Sequence, residues 1–350
     1  MSNEGIKKTK GMRVAVIGLG RMGVRHLQAV TNLEMEVCGI ADVSEEVIAS
    51  VSKEYKLADS IGFTDANVML KNVKPTALVI ATTAPFHCDY VCAAAELGVK
   101  YILCEKPMAV SLEEVERMRS SCDKAGSILA INHQMRFMPQ YTQVKALIQD
   151  GDRLGPLSSI IVAGSNFGLA MNASHYFEMF RYMTDTNVET IQAWFEEGQL
   201  PNPRGPQFED RSGRLLAKNH LGTSMYIDFS SNSGYGLQLV YICRNGQILV
   251  DELTGDLRIS ARKAEFRELP TSRYGMPVDI INTQIEPADT VVPTVRVWNA
   301  LLDGQPFPDG EAGAHAIACL VAAHSSHENG GTPVAINSSA ISKDKKFNWA

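Results

Sequence analysis

Between residues 12 and 135, short unbroken apolar runs alternate with longer segments whose apolar positions return every three or four residues. The runs RVAVIGLG, EVCGIAD, ALVIATT, YILCEKP and ILAINHQ predict strands buried on both faces, because no polar alternation marks a solvent side. The segments around residues 21–32, 44–56, 65–73, 86–98 and 111–125 predict helices. The last opens on Ser111-Leu112-Glu113-Glu114, a capping-box spacing, and closes before Gly126. Strand and helix in strict alternation predict a doubly wound parallel sheet, an α/β domain over residues 1–136.

After residue 136 the pattern changes. A helix at PQYTQVKALIQDG precedes a strand-like LSSIIVAGSNF, a helix at ASHYFEMFRYM and a strand at VETIQAWFE. LPNPRGPQFEDRSGR reads as a long charged loop, solvated through Arg204, Asp210, Arg211 and Arg214. The runs TSMYIDFS, YGLQLVYICRNG, QILVDELTG and LRISAR follow without intervening helices, which predicts a mostly antiparallel sheet. Helices at TVRVWNALLDG and EAGAHAIACLVAAHSSHENG complete an α+β domain over residues 137–350. Tyr235, Leu237, Leu239 and Tyr241 alternate with Gly236, Gln238 and Val240, so one apolar face of this sheet is expected to need a cover.

Composition narrows the function classes. The chain has 350 residues, 45% of them hydrophobic and 21% charged, enough for two cores and too few charges for long disordered tracts. A net charge of −6 predicts no nucleic-acid or anionic-membrane partner. No apolar run approaches the ~18 residues of a membrane span, and the first residues form no apolar signal segment, so a cytoplasmic protein is expected. The seven cysteines follow no paired spacing and read as reduced core thiols, and no histidine set has ligand spacing, so no metal is predicted.

Gly18-Leu19-Gly20-Arg21-Met22-Gly23 follows the first strand directly and opens the first helix. In that position Gly18 allows a tight turn, Gly20 lets backbone approach a pyrophosphate, and Gly23 lets helix pack on strand. Asp42 lies nineteen residues beyond Gly23 at the end of the second strand, where a carboxylate accepts bonds from an adenosine ribose and repels a 2′-phosphate. The expected cofactor is therefore NAD rather than NADP, on a Rossmann domain, although Arg21 adds a cation to the loop. Ligands of such sheets bind beyond the carboxyl ends of the strands, where Thr82, Thr83, His87 and Lys106 fall.

The glycine loop, Asp42, ATTAPFH, CEKP and NHQMRFMPQY together resemble the Gfo/Idh/MocA oxidoreductases, the group of glucose-fructose oxidoreductase and inositol dehydrogenase. The resemblance implies that Lys106 orients the reacting hydroxyl and takes part in proton transfer, that the Lys106-Pro107 peptide is cis, and that His175 is a second proton-transfer group. It implies that His87 and Lys106 lie at the cofactor, with Glu105 beside Lys106 and with Thr82 and Thr83 at the same rim, and that Lys106 and His175 meet the substrate, where Arg136, Asn172 and Tyr176 are further candidates. It also implies that the second-domain sheet joins a homodimer or homotetramer. The family usually carries an aspartate four residues before the histidine; this chain has Met171, whose thioether cannot act as a carboxylate does. The polar residues Asn166, Asn172, Ser174 and Tyr176 fit either substrate hydroxyls or turn and cap groups.

The implied reaction is hydride transfer between a nicotinamide and a secondary hydroxyl or carbonyl of a sugar, cyclitol or nucleotide-sugar. Two other readings remain. One is a tightly held NAD recycled in a redox-neutral elimination or glycoside cleavage. The other is a nicotinamide-binding sensor or partner protein without turnover, which Met171 favours.

Overall fold

The computed structural model describes residues 9–165, 167–198, 202–234, 236–286, 289–339 and 341–349; Asn166 and Tyr235 lie outside them. By backbone contacts the chain divides into one unit of Met1–Gln134, Asp289–Ile317 and Lys343–Ala350, and a second of Met135–Ala288 and Ala318–Ser342. The passage out of the first unit at Gln134 lies beside the boundary expected after residue 136. A single boundary does not describe the chain, however, because two later stretches return to the first unit.

The first unit holds six parallel strands: β1 (Arg13–Ile17), β2 (Glu36–Ala41), β3 (Gly62–Phe63), β4 (Ala77–Ile80), β5 (Tyr101–Cys104) and β6 (Ile128–Ile131). Their order is β3-β2-β1-β4-β5-β6, so the chain reverses its direction of growth between β1 and β4. Five helices alternate with them: α1 (Arg21–Asn32), α2 (Glu45–Tyr55), α3 (Ala66–Val73), α4 (His87–Glu96) and α5 (Leu112–Ala125). Val14, Val16, Leu78, Val79, Ile102 and Leu103 are fully buried, which is why the strands read as unbroken apolar runs.

Local chemistry sets the helix ends. The Ser111 hydroxyl accepts the Glu114 N–H at 3.2 Å, and Gly126 closes α5 at φ +67°. The Glu114 carboxylate does not complete a reciprocal capping box. One oxygen accepts the Val110 N–H and the other accepts Lys346, in a C-terminal strap that also sends the Phe347 N–H to the Val110 carbonyl. The returning helix α8 (Val291–Asp303) packs on α1 and buries Trp298 completely.

The second unit is built on α6 (Pro139–Gln149), α7 (Ser174–Thr184) and a nine-stranded sheet of order β14-β13-β12-β11-β7-β10-β9-β8-β15. The strands are β7 (Leu157–Gly164), β8 (Thr190–Phe195), β9 (Gly213–Lys218), β10 (Ser224–Phe229), β11 (Leu237–Cys243), β12 (Gly246–Asp251), β13 (Asp256–Arg262), β14 (Val278–Gln284) and β15 (Val334–Ala335). All neighbours pair antiparallel except β7 and β10. The helix α9 (Gly310–Glu328) contributes its residues after Ile317 to this unit.

The pattern along the chain does not predict β3, β9, β14 or β15. The end of the expected long loop is strand β9, whose Leu215 and Ala217 face the core while Arg214 faces out. The sheet face that needs a cover also differs from expectation. Leu239 and Tyr241 are fully buried on the inner side, and Tyr226, Ile161, Val240 and Leu249 form the outer row.

Candidate active site

The loop after β1 is shaped by steric contact. Gly18 has φ +87°, and a Cβ there would stand 2.7 Å from the Ala81 carbonyl at the end of β4. A Cβ on Gly23 would stand 1.9 Å from the Gly18 carbonyl oxygen, so only glycine lets α1 start this close to the strand. Gly20 meets nothing within 4 Å; its Cβ direction is open space. As the N-cap of α1 it offers no side-chain cap, and the first turn holds no acidic residue. Free N–H groups and the positive helix end therefore face outward, as a pyrophosphate requires.

The Asp42 carboxylate is held in place by two N–H groups: Oδ2 accepts from Leu19 at 2.8 Å and Oδ1 from Ser44 at 3.0 Å. Each oxygen keeps a further lone-pair site for a ribose hydroxyl. Arg21 is exposed and Met22 half-buried beside this loop. The donor and acceptor set fits an adenine dinucleotide without a 2′-phosphate.

Lys106 follows β5, and its peptide to Pro107 is cis. Beneath it sits a buried charge. Glu105 is 5% exposed and its Oε1 lies 2.8 Å from His26 Nε2, on a ring with no exposure at all. Asn132 donates to the same oxygen at 2.7 Å, and the Lys106 N–H reaches Oε2 at 3.3 Å. Burial opposes the charge, but the His26 bond and charge, the Lys106 charge and the Asn132 bond outweigh it and hold Glu105 at about 2. Glu105, expected at the cofactor, is thus engaged through its carboxylate within the protein. Its carboxylate faces α1 and β6 and supports Lys106 from below.

His87, also expected at the cofactor, has its ring engaged within the protein. The ring is completely buried, with Nδ1 2.9 Å from the Pro107 carbonyl oxygen and Nε2 3.1 Å from that of Thr82. A neutral imidazole donates through only one nitrogen, and burial pushes the pKa of this one down. His87 thus fastens the loop after β4 to the Lys106-Pro107 turn. Thr82 and Thr83 remain half-buried at the rim of that loop.

In the second unit His175 lies in the first turn of α7 and is half-buried. A π-helical turn, Leu169–Ala173, leads into α7, and the Asp210 carboxylate accepts its Ala170 and Met171 N–H groups, each at 2.8 Å. Three charged residues of the 202–214 stretch, expected to be solvated, thus have partners in the fold. Arg211 donates to the Glu196 carbonyl at 2.7 Å and Arg214 to Asp228 at 3.1 Å.

Three residues expected at the substrate have partners within the protein. Tyr176 is 2% exposed and donates to Glu252 at 3.1 Å, while Tyr141 donates to the other oxygen of the same carboxylate. Burial lifts Glu252 to about 7 against the two tyrosine bonds, with Asp251 adding to the rise. Arg136 donates to the buried Glu178 at 3.2 Å and lies over the Tyr182 ring. Burial raises Glu178 even though Arg181 and Arg136 flank it. Asn172 Nδ2 reaches back to the Gly168 carbonyl at 3.5 Å, the turn-capping alternative of its two readings.

The sequence pattern singles out neither His26, Asn132 nor Glu252, and it places Asp210 in a solvated loop. His26 offered a signal: a polar residue at a position where α1 buries Leu27, Ala29 and Val30. Among the described residues no group of three or more His, Cys, Asp or Glu could hold a metal ion, and no helix is long and apolar enough to cross a membrane.

A parallel sheet that reverses at β1 and β4, with an open helix N-terminus and a fixed carboxylate at the reversal, defines a dinucleotide-binding domain. Residues 12–133 match the Gfo/Idh/MocA family, described as an oxidoreductase family with an NAD-binding Rossmann fold. Through these residues the chain carries an NAD-binding Rossmann domain similar to that family's, and its cofactor is NAD. It is similar to the myo-inositol 2-dehydrogenase of Thermotoga maritima, 28% identical over 198 residues that span 52% of this chain and 58% of that one. It is also similar to an inositol 2-dehydrogenase of Pseudomonas fluorescens, 25% identical over 65% of this chain and 70% of the relative. An inositol dehydrogenase homologue of Azotobacter vinelandii, solved with NADH and myo-inositol, shares the fold. It has a TM-score of 0.77 at 16% identity, over 93% of this chain and 98% of that one.

Proposed function

We propose that the protein is an NAD-dependent dehydrogenase that moves hydride between the nicotinamide and a secondary hydroxyl or carbonyl of a small carbohydrate-like molecule, a sugar, cyclitol or nucleotide-sugar. The observation that carries the reading is Lys106, presented at the end of β5 over a buried carboxylate, in the same sheet as the glycine loop and Asp42. Gly18, Leu19, Gly20, Arg21, Met22 and Gly23 hold the pyrophosphate, Asp42 the adenosine ribose, and Thr82 and Thr83 line the nicotinamide side. The bound nicotinamide supplies the hydride acceptor. Lys106 orients the hydroxyl and receives its proton, and His175 is the second proton-transfer group. Asn172 keeps one face of its amide for substrate.

Several relatives support the substrate class by their names, among them a D-apiose dehydrogenase of Paraburkholderia graminis and a levoglucosan dehydrogenase solved with NADH. We read the protein as cytoplasmic, since its seven cysteines stay as buried thiols. We read it as a homodimer or homotetramer, since the outer row Tyr226, Ile161, Val240 and Leu249 is apolar and only half-buried.

The test uses carbinol-deuterated myo-inositol, D-apiose and levoglucosan with NAD and mass spectrometry of the nucleotide. Deuterium in accumulating reduced nicotinamide is the expected result. Deuterium returned to a rearranged or cleaved sugar, with no net reduced nucleotide, would replace this reading with a redox-neutral reaction.

A further inference from the structure

Asp210 comes from a stretch without regular structure, yet it is 7% exposed and its two oxygens are shared between two adjacent N–H groups, those of Ala170 and Met171. The Leu169 N–H is taken by the neighbouring Arg211 carbonyl at 2.9 Å. These N–H groups open a helical run that continues through the π turn into α7, so they lack helical partners of their own. Charge-assisted bonds from one carboxylate satisfy two of them.

Gly168 supplies an independent observation. Its backbone, φ −75° and ψ 142°, suits any residue. A Cβ there would nevertheless stand 1.9 Å from Asp210 Oδ2 and 2.0 Å from Cγ. The glycine at 168 is therefore required by the carboxylate and not by the chain's conformation. The site is built so that Asp210 can press against the turn.

We infer that Asp210 is a positioning residue for His175, fixing the turn from which α7 carries the imidazole. The inference rests on the reading of His175 as a proton-transfer group. It also accounts for Met171, because a carboxylate from the 202–212 stretch fastens the backbone of the very turn where a local aspartate is missing.

The experiment compares Asp210→Ala, Gly168→Ala and the double variant by the NMR signal of the His175 ring, by NAD affinity and by hydride transfer. Both single variants are expected to move the His175 signal, leave NAD affinity within about twofold, and lower hydride transfer by about tenfold or more, since small misplacements of a catalytic group are costly. The double variant is expected to lose no more than the worse single one, because both changes remove the same contact. An unmoved His175 signal in both singles, or losses that multiply, overturns the inference. If Asp210→Ala does not fold, Gly168→Ala carries the test alone. Should the unmodified protein transfer no hydride to or from any sugar, cyclitol or nucleotide-sugar, the dehydrogenase reading falls, while the His175 signal still decides the role of Asp210.

Discussion

Gly20 and Gly23 lie three residues apart and are under different constraints. An added Cβ at Gly23 meets backbone at 1.9 Å, whereas one at Gly20 meets nothing. Gly23→Ala is expected to cost about 1–3 kcal/mol of stability as α1 is pushed from the strand, measured by denaturant unfolding. Gly20→Ala is expected to leave stability within about 0.5 kcal/mol and still weaken NAD binding, because the methyl occupies the space the pyrophosphate needs. Equal effects of the two on unfolding would refute this division of roles. Under Lys106, His26→Leu strips a buried carboxylate of the ring nitrogen 2.8 Å from its Oε1. A loss of about 3–5 kcal/mol is expected, and a loss below about 1 kcal/mol would mean that Asn132 and the Lys106 N–H suffice for Glu105.

At the scale of the element, the Glu252 carboxyl ties α6 and α7 to the end of β12 through Tyr141 and Tyr176. Its folded value of about 7 exceeds the ordinary 4.5, so the proton binds more tightly in the folded state. The stability this supplies is complete below pH 4.5 and is lost as pH rises toward about 7. The difference of about 2.5 pH units at 1.36 kcal/mol each bounds the loss at about 3 kcal/mol. Melting temperature should therefore fall across that window in the unmodified protein more than in Glu252→Gln. Parallel curves would remove Glu252 from the account. These contacts also mark what the sequence could tell. The five longer strands and the five helices that alternate with them in the first unit were legible because burial on both faces and local caps are short-range signals, whereas the two-residue β3 was too short to show a pattern. Strand β14 was not, since Val278–Gln284 is exposed throughout and has no buried face to impose alternation. The glycine loop was legible because its partners are neighbours. His26 and Asp210 were not, because their partners stand 79 and 40 residues away in the chain.

For the whole molecule, the outer face of the nine-stranded sheet and the cofactor site give separate predictions. Val240 lies in the middle of the apolar outer row, between Ile161 and Leu249. Val240→Glu is expected to reduce the sedimenting mass to that of a single chain while leaving NAD affinity intact; an unchanged mass would move the oligomer contact elsewhere. NAD at 100 times its dissociation constant should add about 2.7 kcal/mol of stability, an increment that Asp42→Ala should largely abolish. The account as a whole depends on Lys106 acting at a working dehydrogenase site. The most direct test is the absorbance of reduced nicotinamide while the purified protein with NAD is challenged with polyols, free sugars and nucleotide-sugars, beside Lys106→Met. The account predicts a rise with one substrate class that disappears in the variant while NAD still binds. A rise that persists in Lys106→Met would contradict it.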